Sequence, residues 1–217
     1  NATSMGSCVI IGREAAAGST NTGDDNIFIG VTAGYGNTDA DKNIGIGRGA
    51  LYSNTDGDHH VAIGYRALSG NTYGESVAIG SDALMTNITG QQMVAVGREA
   101  LELNTTGATN VAVGRKALEA NTTGDNNVAV GSPSLEANTT GGNNIAIGKE
   151  ALGANTTASN NTAVGYYALA ANTTGTALAA FGQGALQVNT ASYNTALGAN
   201  TLQANTTGEY NTGVGRN

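Results

Sequence analysis

The sequence has no tryptophan, two phenylalanines, one proline and one cysteine in 217 residues. The single Cys8 excludes an intrachain disulfide, and the shortage of aromatic residues means that a core must consist of Val, Ile, Leu and Ala. Only 12% of the residues are charged, and the net charge of -7 speaks against a nucleic-acid or anionic-membrane surface. No apolar run approaches the roughly 18 residues of a membrane-spanning helix, and no signal peptide is visible.

What the chain does have is a repeat, marked by the glycine that closes each short apolar run. Most of these glycines are 17 residues apart. We number each unit from this glycine as position 1. The glycines are Gly12, Gly30, Gly47, Gly64, Gly80, Gly97, Gly114, Gly131, Gly148, Gly165, Gly182, Gly198 and Gly215. Helical and mixed repeats run from about 20 to 47 residues, so a 17-residue unit indicates a coil of a β-solenoid.

The consensus within the unit supports this interpretation. Positions 15 to 17 are β-branched, Ala, β-branched, as in Val111-Ala112-Val113, which is typical of a strand. Asn-Thr-Thr-Gly at positions 8 to 11 is a turn by composition. Residues 98–102 are too few for a helix and are expected to form a second short strand or a corner. The sequence therefore predicts an all-β fold, a parallel β-solenoid of about 13 coils.

The strand pattern also predicts an inside and an outside. We expect the large residues at positions 5, 15 and 17 to fill the coil, and the small residue at position 16 to point away from it. Three large side chains per coil do not offset the ordering entropy of 17 residues, so burial against a second chain is expected. The predicted interface is the alanine ladder at position 16, formed by Ala62, Ala78, Ala95, Ala112, Ala129, Ala146, Ala163 and Ala196.

The array spans residues 1–217 as a single module, with irregular acidic units over 1–64, regular units over 65–165 and charge-poor units over 151–217. Both ends fall inside the pattern, so we expect the sequence to be a segment of a longer fibre. Between Glu150 and Glu209 no residue is charged. Six aspartates lie in successive early turns and are expected to stack as an acidic ridge: Asp24, Asp25, Asp39, Asp41, Asp56 and Asp58.

The motif carried by Asn127-Val128-Ala129-Val130-Gly131 and by residues 151–157 resembles the head repeats of trimeric autotransporter adhesins. It is also similar to the Asn-Thr-Thr-Gly arrays of bacterial and phage tail-fibre-domain proteins. The resemblance covers essentially the whole chain, although the adhesin repeats are shorter. It implies a left-handed β-roll in each chain and three chains side by side in a fibre outside the cell or on a virion.

One local cluster has metal-ligating residue types: Asp56, Asp58, His59 and His60. Its spacing fits neither a zinc motif nor a calcium loop, so a structural turn is the preferred interpretation over a metal site. An ion held between the stacked acidic turns is a separate hypothesis. No catalytic residue or cofactor is predicted, because the two histidines are adjacent in one turn and no carboxylate pair recurs.

Two features of the polar surface have alternative interpretations. Tyr166, Tyr167, Tyr193 and Tyr210 are either sugar-stacking residues or ordinary exposed aromatics. The Asn-Thr-Thr triplets match the glycosylation pattern, but turn chemistry and side-chain ladders explain their fixed repeat position better. They begin at Asn104, Asn121, Asn138, Asn155, Asn172 and Asn205.

The sequence thus predicts a non-enzymatic, extracellular, homotrimeric fibre segment that projects and stiffens a surface appendage. It is expected to adhere to a cell-surface glycan or protein, without nucleic-acid binding or membrane insertion. A receptor-binding phage tail fibre is the alternative within the same architecture. An ice-binding solenoid is the alternative from another class, suggested by the regularly spaced threonines.

Overall fold

The computed structural model describes residues 6–18, 21–71 and 73–216, so the first and last residues of the predicted array lie outside the described part. The chain comprises two compact units, Asn1–Thr109 and Asn110–Asn217. Each described strand has three residues and occupies positions 15 to 17 of the repeat. The strands of the first unit are β1 (Val9–Ile11), β2 (Ile27–Ile29), β3 (Ile44–Ile46), β4 (Val61–Ile63), β5 (Val77–Ile79) and β6 (Val94–Val96).

The second unit continues the same pattern with seven strands. They are β7 (Val111–Val113), β8 (Val128–Val130), β9 (Ile145–Ile147), β10 (Thr162–Val164), β11 (Ala179–Phe181), β12 (Thr195–Leu197) and β13 (Thr212–Val214). In each unit the strands pair in parallel and in chain order, with equivalent repeat positions opposite one another. The predicted all-β parallel solenoid with a 17-residue repeat is therefore confirmed. Its handedness and the number of associated chains stay predictions.

Successive coils are also joined outside the strands. The Leu118 amide donates to the Ser134 carbonyl at 3.1 Å, and the Thr122 amide donates to the Thr139 carbonyl at 2.9 Å. On the far side of the turn, the Asn143 amide donates to Asp125 at 3.0 Å. Each coil is thus hydrogen-bonded to the next at several points around its circumference. These bonds pair backbone polar groups that the three-residue strands leave unpaired.

The glycine at position 1 is required for two reasons. Gly131 has a φ of 147°, a region that residues with a Cβ rarely adopt. A Cβ built on it would also lie 2.6 Å from the carbonyl oxygen of Gly148 in the next coil. At this glycine the chain therefore leaves the strand and enters the corner.

Between positions 1 and 8 the chain forms a series of turns. Residues 98–102 form a corner, and the alternative of a second short strand is wrong. Leu101 and Leu118 at position 5 have φ values of 52° and 54°, in the left-handed region. That conformation costs roughly 1–2 kcal/mol per residue, and here it accompanies complete burial of the leucine side chains.

The prediction of which strand residues face inward is wrong. The position-16 alanines are completely buried inside their own coils, whereas Val130 and Ile147 at position 17 are 36% and 40% exposed. The buried alanines are Ala62, Ala78, Ala95, Ala112, Ala129, Ala146, Ala163 and Ala196. A side chain with no accessible surface in the single chain cannot line an interface between chains, so these alanines are not the oligomer interface.

The interior has room only for a small residue at position 16 because other side chains occupy it. Leucine at position 5 is one, as predicted for Leu118. The first unit shows this limit through an exception, since Phe28 stands at position 16 and is completely buried. In the repeat that follows, position 5 is Gly34, where an added Cβ would lie 2.6 Å from the Phe28 ring, and Gly45 pairs with Phe28 in β3. The missing side chains at these two glycines leave room for the ring.

Two ladders of buried asparagine complete the interior. At position 8, Asn138 Nδ2 donates to Asn121 Oδ1 at 2.8 Å and to the Gly141 carbonyl at 2.9 Å. At position 14, the Asn144 amide donates to Asn127 Oδ1 at 2.9 Å. These side chains are inaccessible to solvent, and hydrogen bonds between coils replace the water they have lost.

Candidate functional site

The side chains at positions 15 and 17 form what we call the outer strand face of each unit. No residue at these positions is charged. In the first unit the most exposed members are Val9, Ile11, Ile63 and Ile79, and in the second Val113, Val130, Ile145, Ile147, Phe181, Leu197 and Val214. Strand pairing places neighbouring members about 4.8 Å apart, so each unit presents a mostly apolar stripe. In the second unit Thr162, Thr195 and Thr212 interrupt it at position 15. Exposed apolar patches of this kind mark interaction surfaces.

The structure does not bring the four candidate metal ligands together. Asp56 and His59 are exposed, while the His60 side chain is completely buried in the coil. Asp58 accepts a hydrogen bond from the Asp41 amide at 2.7 Å. The preferred interpretation of the segment as a structural turn is consistent with these separate environments.

His60 replaces asparagine in the position-14 ladder. Its Nδ1 accepts a hydrogen bond from the Ser76 amide at 3.2 Å, and its Nε2 lies 2.6 Å from Asn71 Nδ2. Burial lowers the pKa of His60 to about 4, because the charged imidazolium cannot be solvated inside the coil. The imidazole is therefore neutral at neutral pH and belongs to the hydrogen-bonded interior.

The acidic ridge is realised in part. The Asp24 backbone amide donates to Asp41 Oδ1 of the next coil at 2.7 Å. The Asp41 backbone amide donates in the same way to Asp58 Oδ1 at 2.7 Å. In the second unit, hydroxyl groups do the same, since Ser159 Oγ accepts from the Gly142 amide at 3.0 Å. The aspartates are thus backbone caps stacked in register.

A first groove, which we call the cationic groove, lies between the corners of successive coils in the first unit and has a volume of about 340 Å³. It is lined by Thr32, Arg48, Gly49, Tyr52, Ser53, Tyr65, Arg66, Ser69 and Gly70. The Tyr52 ring stacks in parallel on Tyr35, with centroids 5.1 Å apart. The Arg66 guanidinium lies 5.9 Å from the centroid of the Tyr65 ring. The groove therefore combines positive charge with exposed aromatic surface.

A second groove, which we call the amide groove, occupies the equivalent place in the second unit and has a volume of about 250 Å³. It is lined by Tyr166, Tyr167, Gln183, Gly184, Gln187, Asn200 and Gln203, none of which is charged. Tyr166 and Tyr167 meet edge to face, with centroids 4.3 Å apart. The hydrogen bond that the Tyr167 hydroxyl donates to Tyr166 raises the pKa of Tyr167.

Two of the four candidate tyrosines are therefore brought into a groove, and two are not. Tyr193 and Tyr210 stack in parallel on each other at 4.9 Å and lie outside the described grooves. They are exposed, which fits the interpretation as ordinary surface aromatics.

Both grooves have the same cause. Across the described coils, position 3 is glycine only at Gly49 and Gly184, and elsewhere it carries a side chain such as Glu99 or Lys116. Without that side chain, a gap opens between the residues at positions 2, 3 and 6 of neighbouring coils. Our sequence reasoning missed this signal, although a column of the repeat containing two glycines was visible in the sequence.

The Asn-Thr-Thr turns serve the fold. Asn104, Asn121, Asn138, Asn155 and Asn172 are completely buried, and only Asn205 is partly accessible. Buried asparagine cannot carry a glycan in the folded chain, so at these five positions ladder formation is the correct interpretation. Thr122 and Thr139 at position 9 also donate their hydroxyls to the carbonyl of the next coil, at 3.0 and 3.1 Å.

A mixed-charge cluster lies on the corner edge of the second unit. Lys116 Nζ is 2.8 Å from Glu119 Oε1 and 3.9 Å from Glu136 Oε1. Desolvation, together with a hydrogen bond to Glu119, raises the pKa of Glu136. These side chains are partly exposed, so the cluster lies on a solvated edge of the coil.

Comparison with known proteins adds no identification. No family model, curated protein or solved structure matches the chain. Among the described residues, no helix is long and apolar enough to cross a membrane.

Proposed function

We propose that this protein is a non-enzymatic fibre segment, displayed outside the cell or on a virion, in which copies of the chain associate side by side. The observation that supports this is the outer strand face, which is free of charge in every described coil and apolar except for Thr162, Thr195 and Thr212. A stripe of regularly spaced Val, Ile and Leu gains most by packing against a similarly spaced stripe on another copy. The expected number of three chains comes from the resemblance to the adhesin heads.

The same surface explains why a solenoid with a narrow interior needs partners. The inside of each coil is filled by Ala, Leu and Asn, while the larger β-branched side chains stay in contact with water. Association would bury them and supply the apolar burial that a single coil lacks. The work of such an assembly is to project and stiffen an appendage and to present its side surfaces for adhesion.

Light scattering tests this proposal. We expect a mass near three times the 21.5 kDa of the chain. The double variant Val130→Lys and Ile147→Lys places two charges on the outer strand face and should dissociate the assembly. The matched control Thr123→Lys and Thr140→Lys puts the same charges on exposed position-10 residues of successive coils and should leave the mass unchanged. A wild-type chain that stays folded as a monomer would overturn the proposal.

Ice binding is a second candidate, favoured by one observation. Position-10 threonines are exposed at the same place in successive coils, including Thr123, Thr140 and Thr157. Thermal hysteresis of the purified chain that disappears in the Thr123→Lys and Thr140→Lys variant would support this function. A wild-type sample without hysteresis would remove it.

A further inference from the structure

We propose that the cationic groove binds an acidic saccharide, a sugar ring bearing a carboxylate or sulfate. This site rests on the proposed adhesive role and names the class of ligand that one surface would recognise. Its elements are two guanidinium groups, two exposed tyrosine rings and a rim of hydroxyl groups gathered in one cleft.

The positive charge of the groove is available to a ligand. Among the residues that the structure describes, Arg48 has no carboxylate partner. Arg66 meets Asp82 only at 3.9 Å, and its side chain is 47% exposed. Within the described part of the chain Arg48 is thus unpaired, and Arg66 can exchange its long, exposed contact with Asp82 for a ligand. Both guanidinium groups can form the charge-assisted, bidentate hydrogen bonds that such groups make with carboxylate and sulfate oxygens.

The aromatic groups are held in place to receive a ring. One face of Tyr52 is covered by Tyr35, and the two ring planes differ by only 6°. Tyr35 is therefore a positioning residue that fixes the orientation of Tyr52 at the groove. Tyr65, which is 46% exposed, adds a second ring beside Arg66. Flat, immobilised aromatic surface next to hydrogen-bonding groups suits a ring that is apolar on one face and polar at its edges.

The size and the charge of the surroundings narrow the ligand class. A volume of about 340 Å³ is near the lower limit for small-molecule sites and suits a mono- or disaccharide rather than a folded partner. The first unit is strongly acidic, with Asp39, Asp41, Asp56 and Asp58 in its turns. This field disfavours a long polyanion such as a nucleic acid, whereas a single acidic group can be held by the local pair of arginines.

Glycine at position 3 offers a way to close the groove without disturbing the fold. A Cβ on Gly49 would meet only Arg66 Cγ, at an ordinary contact distance of 3.6 Å. Its φ of 69° is close to the 61° of Glu99 and Glu150, which occupy position 3 in other coils. The variant Gly49→Glu therefore introduces a residue that the repeat already tolerates, and it puts a carboxylate between the two arginines.

The experiment is a titration of the purified chain, followed by ligand-observed NMR, with N-acetylneuraminic acid, glucuronic acid and galactose. We expect saturable binding of at least one acidic sugar, and at least about tenfold weaker binding of neutral galactose. Gly49→Glu and Arg48→Ala should each weaken acidic-sugar binding by at least about tenfold. Arg115→Ala removes the same charge at position 2 of a coil without a groove and should leave binding unchanged.

Four results would overturn the site. The first two are no saturable binding of either acidic sugar, and binding of galactose as tight as that of the acidic sugars. The third is binding that survives both groove variants in chains with wild-type circular dichroism. The fourth is competition by a single-stranded oligonucleotide at lower concentration than the sugars. Light scattering on the same samples separates this proposal from the previous one. Lost sugar binding with an intact assembly rejects the groove alone, and lost assembly with intact sugar binding rejects the fibre alone.

Discussion

The two units follow one backbone plan and differ in the chemistry that occupies it. The first unit holds five basic and eleven acidic side chains, whereas the second holds four and five. At the same corner, one unit has a groove lined by Arg48 and Arg66, and the other has a groove lined by neutral amides. The difference shows that the repeat creates the grooves and that a few variable positions determine their charge.

The interiors of the two units also share a backbone plan and differ in the residues at position 14. In the second unit, Asn110, Asn127, Asn144 and Asn161 form four successive rungs of the position-14 ladder. In the first unit His60, Ser76 and Met93 take three of these places, and the Met93 backbone amide donates to Ser76 Oγ at 3.3 Å. An asparagine of the position-14 ladder can therefore be replaced when the residue that bonds to it in the neighbouring coil is replaced as well.

The largest expected effect concerns the position-8 ladder, which is continuous from Asn121 to Asn172 in the second unit and interrupted at Asn54 in the first. Asn155 Nδ2 donates to Asn138 Oδ1 and to the Ala158 carbonyl, both at 3.0 Å. In contrast, the described hydrogen bonds of the Asn54 side chain are those with Gly57 of its own turn. Asn155→Ala should destabilise the chain by about 3 to 4 kcal/mol, because it leaves buried amides unpaired and opens a cavity.

Asn54→Ala is the matched variant, and we expect it to cost only about 2 kcal/mol because no bond between coils is lost. Urea unfolding followed by circular dichroism measures both. Equal losses in the two variants would show that the ladder between coils adds no stability, and the distinction between the two units would then fail.

The next effect is a dependence on pH that is specific to the first unit. His60 has a pKa of about 4 in the folded chain and about 6.5 when unfolded. The stabilisation from neutral His60 is therefore fully present above pH 6.5 and is lost as the pH falls towards 4. The gap corresponds to roughly 3 kcal/mol, since the unfolded chain takes up a proton that the folded chain excludes.

Unfolding free energies measured between pH 7 and pH 4 test this expectation. His60→Asn restores the asparagine of the repeat. It should reduce the loss of unfolding free energy between pH 7 and pH 4 by roughly 3 kcal/mol. His59→Asn is the control, because His59 is exposed and its replacement should leave the acid dependence in place. An unchanged slope in His60→Asn would contradict the prediction.

The smallest effect concerns the capping side chains at position 12. Asp41→Ala leaves the Asp24 amide without its carboxylate acceptor and should cost about 1 kcal/mol. Asp41→Ser keeps an acceptor of the kind that Ser159 provides in the second unit, so stability should stay within about 0.5 kcal/mol of wild type. Thermal melts decide this, and an equal loss in both variants would show that the hydroxyl does not replace the carboxylate.

Part of the site was within reach of the sequence. Tyr166 and Tyr167 were predicted as sugar-stacking candidates, and the structure places both in the amide groove. Arg48 and Tyr52 were not singled out, because residues at positions 2 and 6 meet across coils only once the corner has been built. The candidate ligands at residues 56–60 do not come together, since neighbours in sequence point to different sides of the chain there.

The sequence alone determined the repeat, the parallel stacking of three-residue strands and the glycine at position 1. These follow from period and local chemistry, because a 17-residue unit is too short to bury a core and has to stack on its neighbours. The sequence did not determine which side of the strand lies inside. A Val-Ala-Val strand presents its valines to one side and its alanine to the other, and either orientation obeys the alternation.

The tertiary structure decided that question through volume. Leucine at position 5 and the two asparagine ladders already fill most of the narrow coil, so position 16 is usually alanine, and Phe28 fits where Gly34 and Gly45 lie beside its ring. The branched residues are therefore displaced to the surface, where they form the outer strand face. Close packing inside the coil thus determines which strand side chains are exposed.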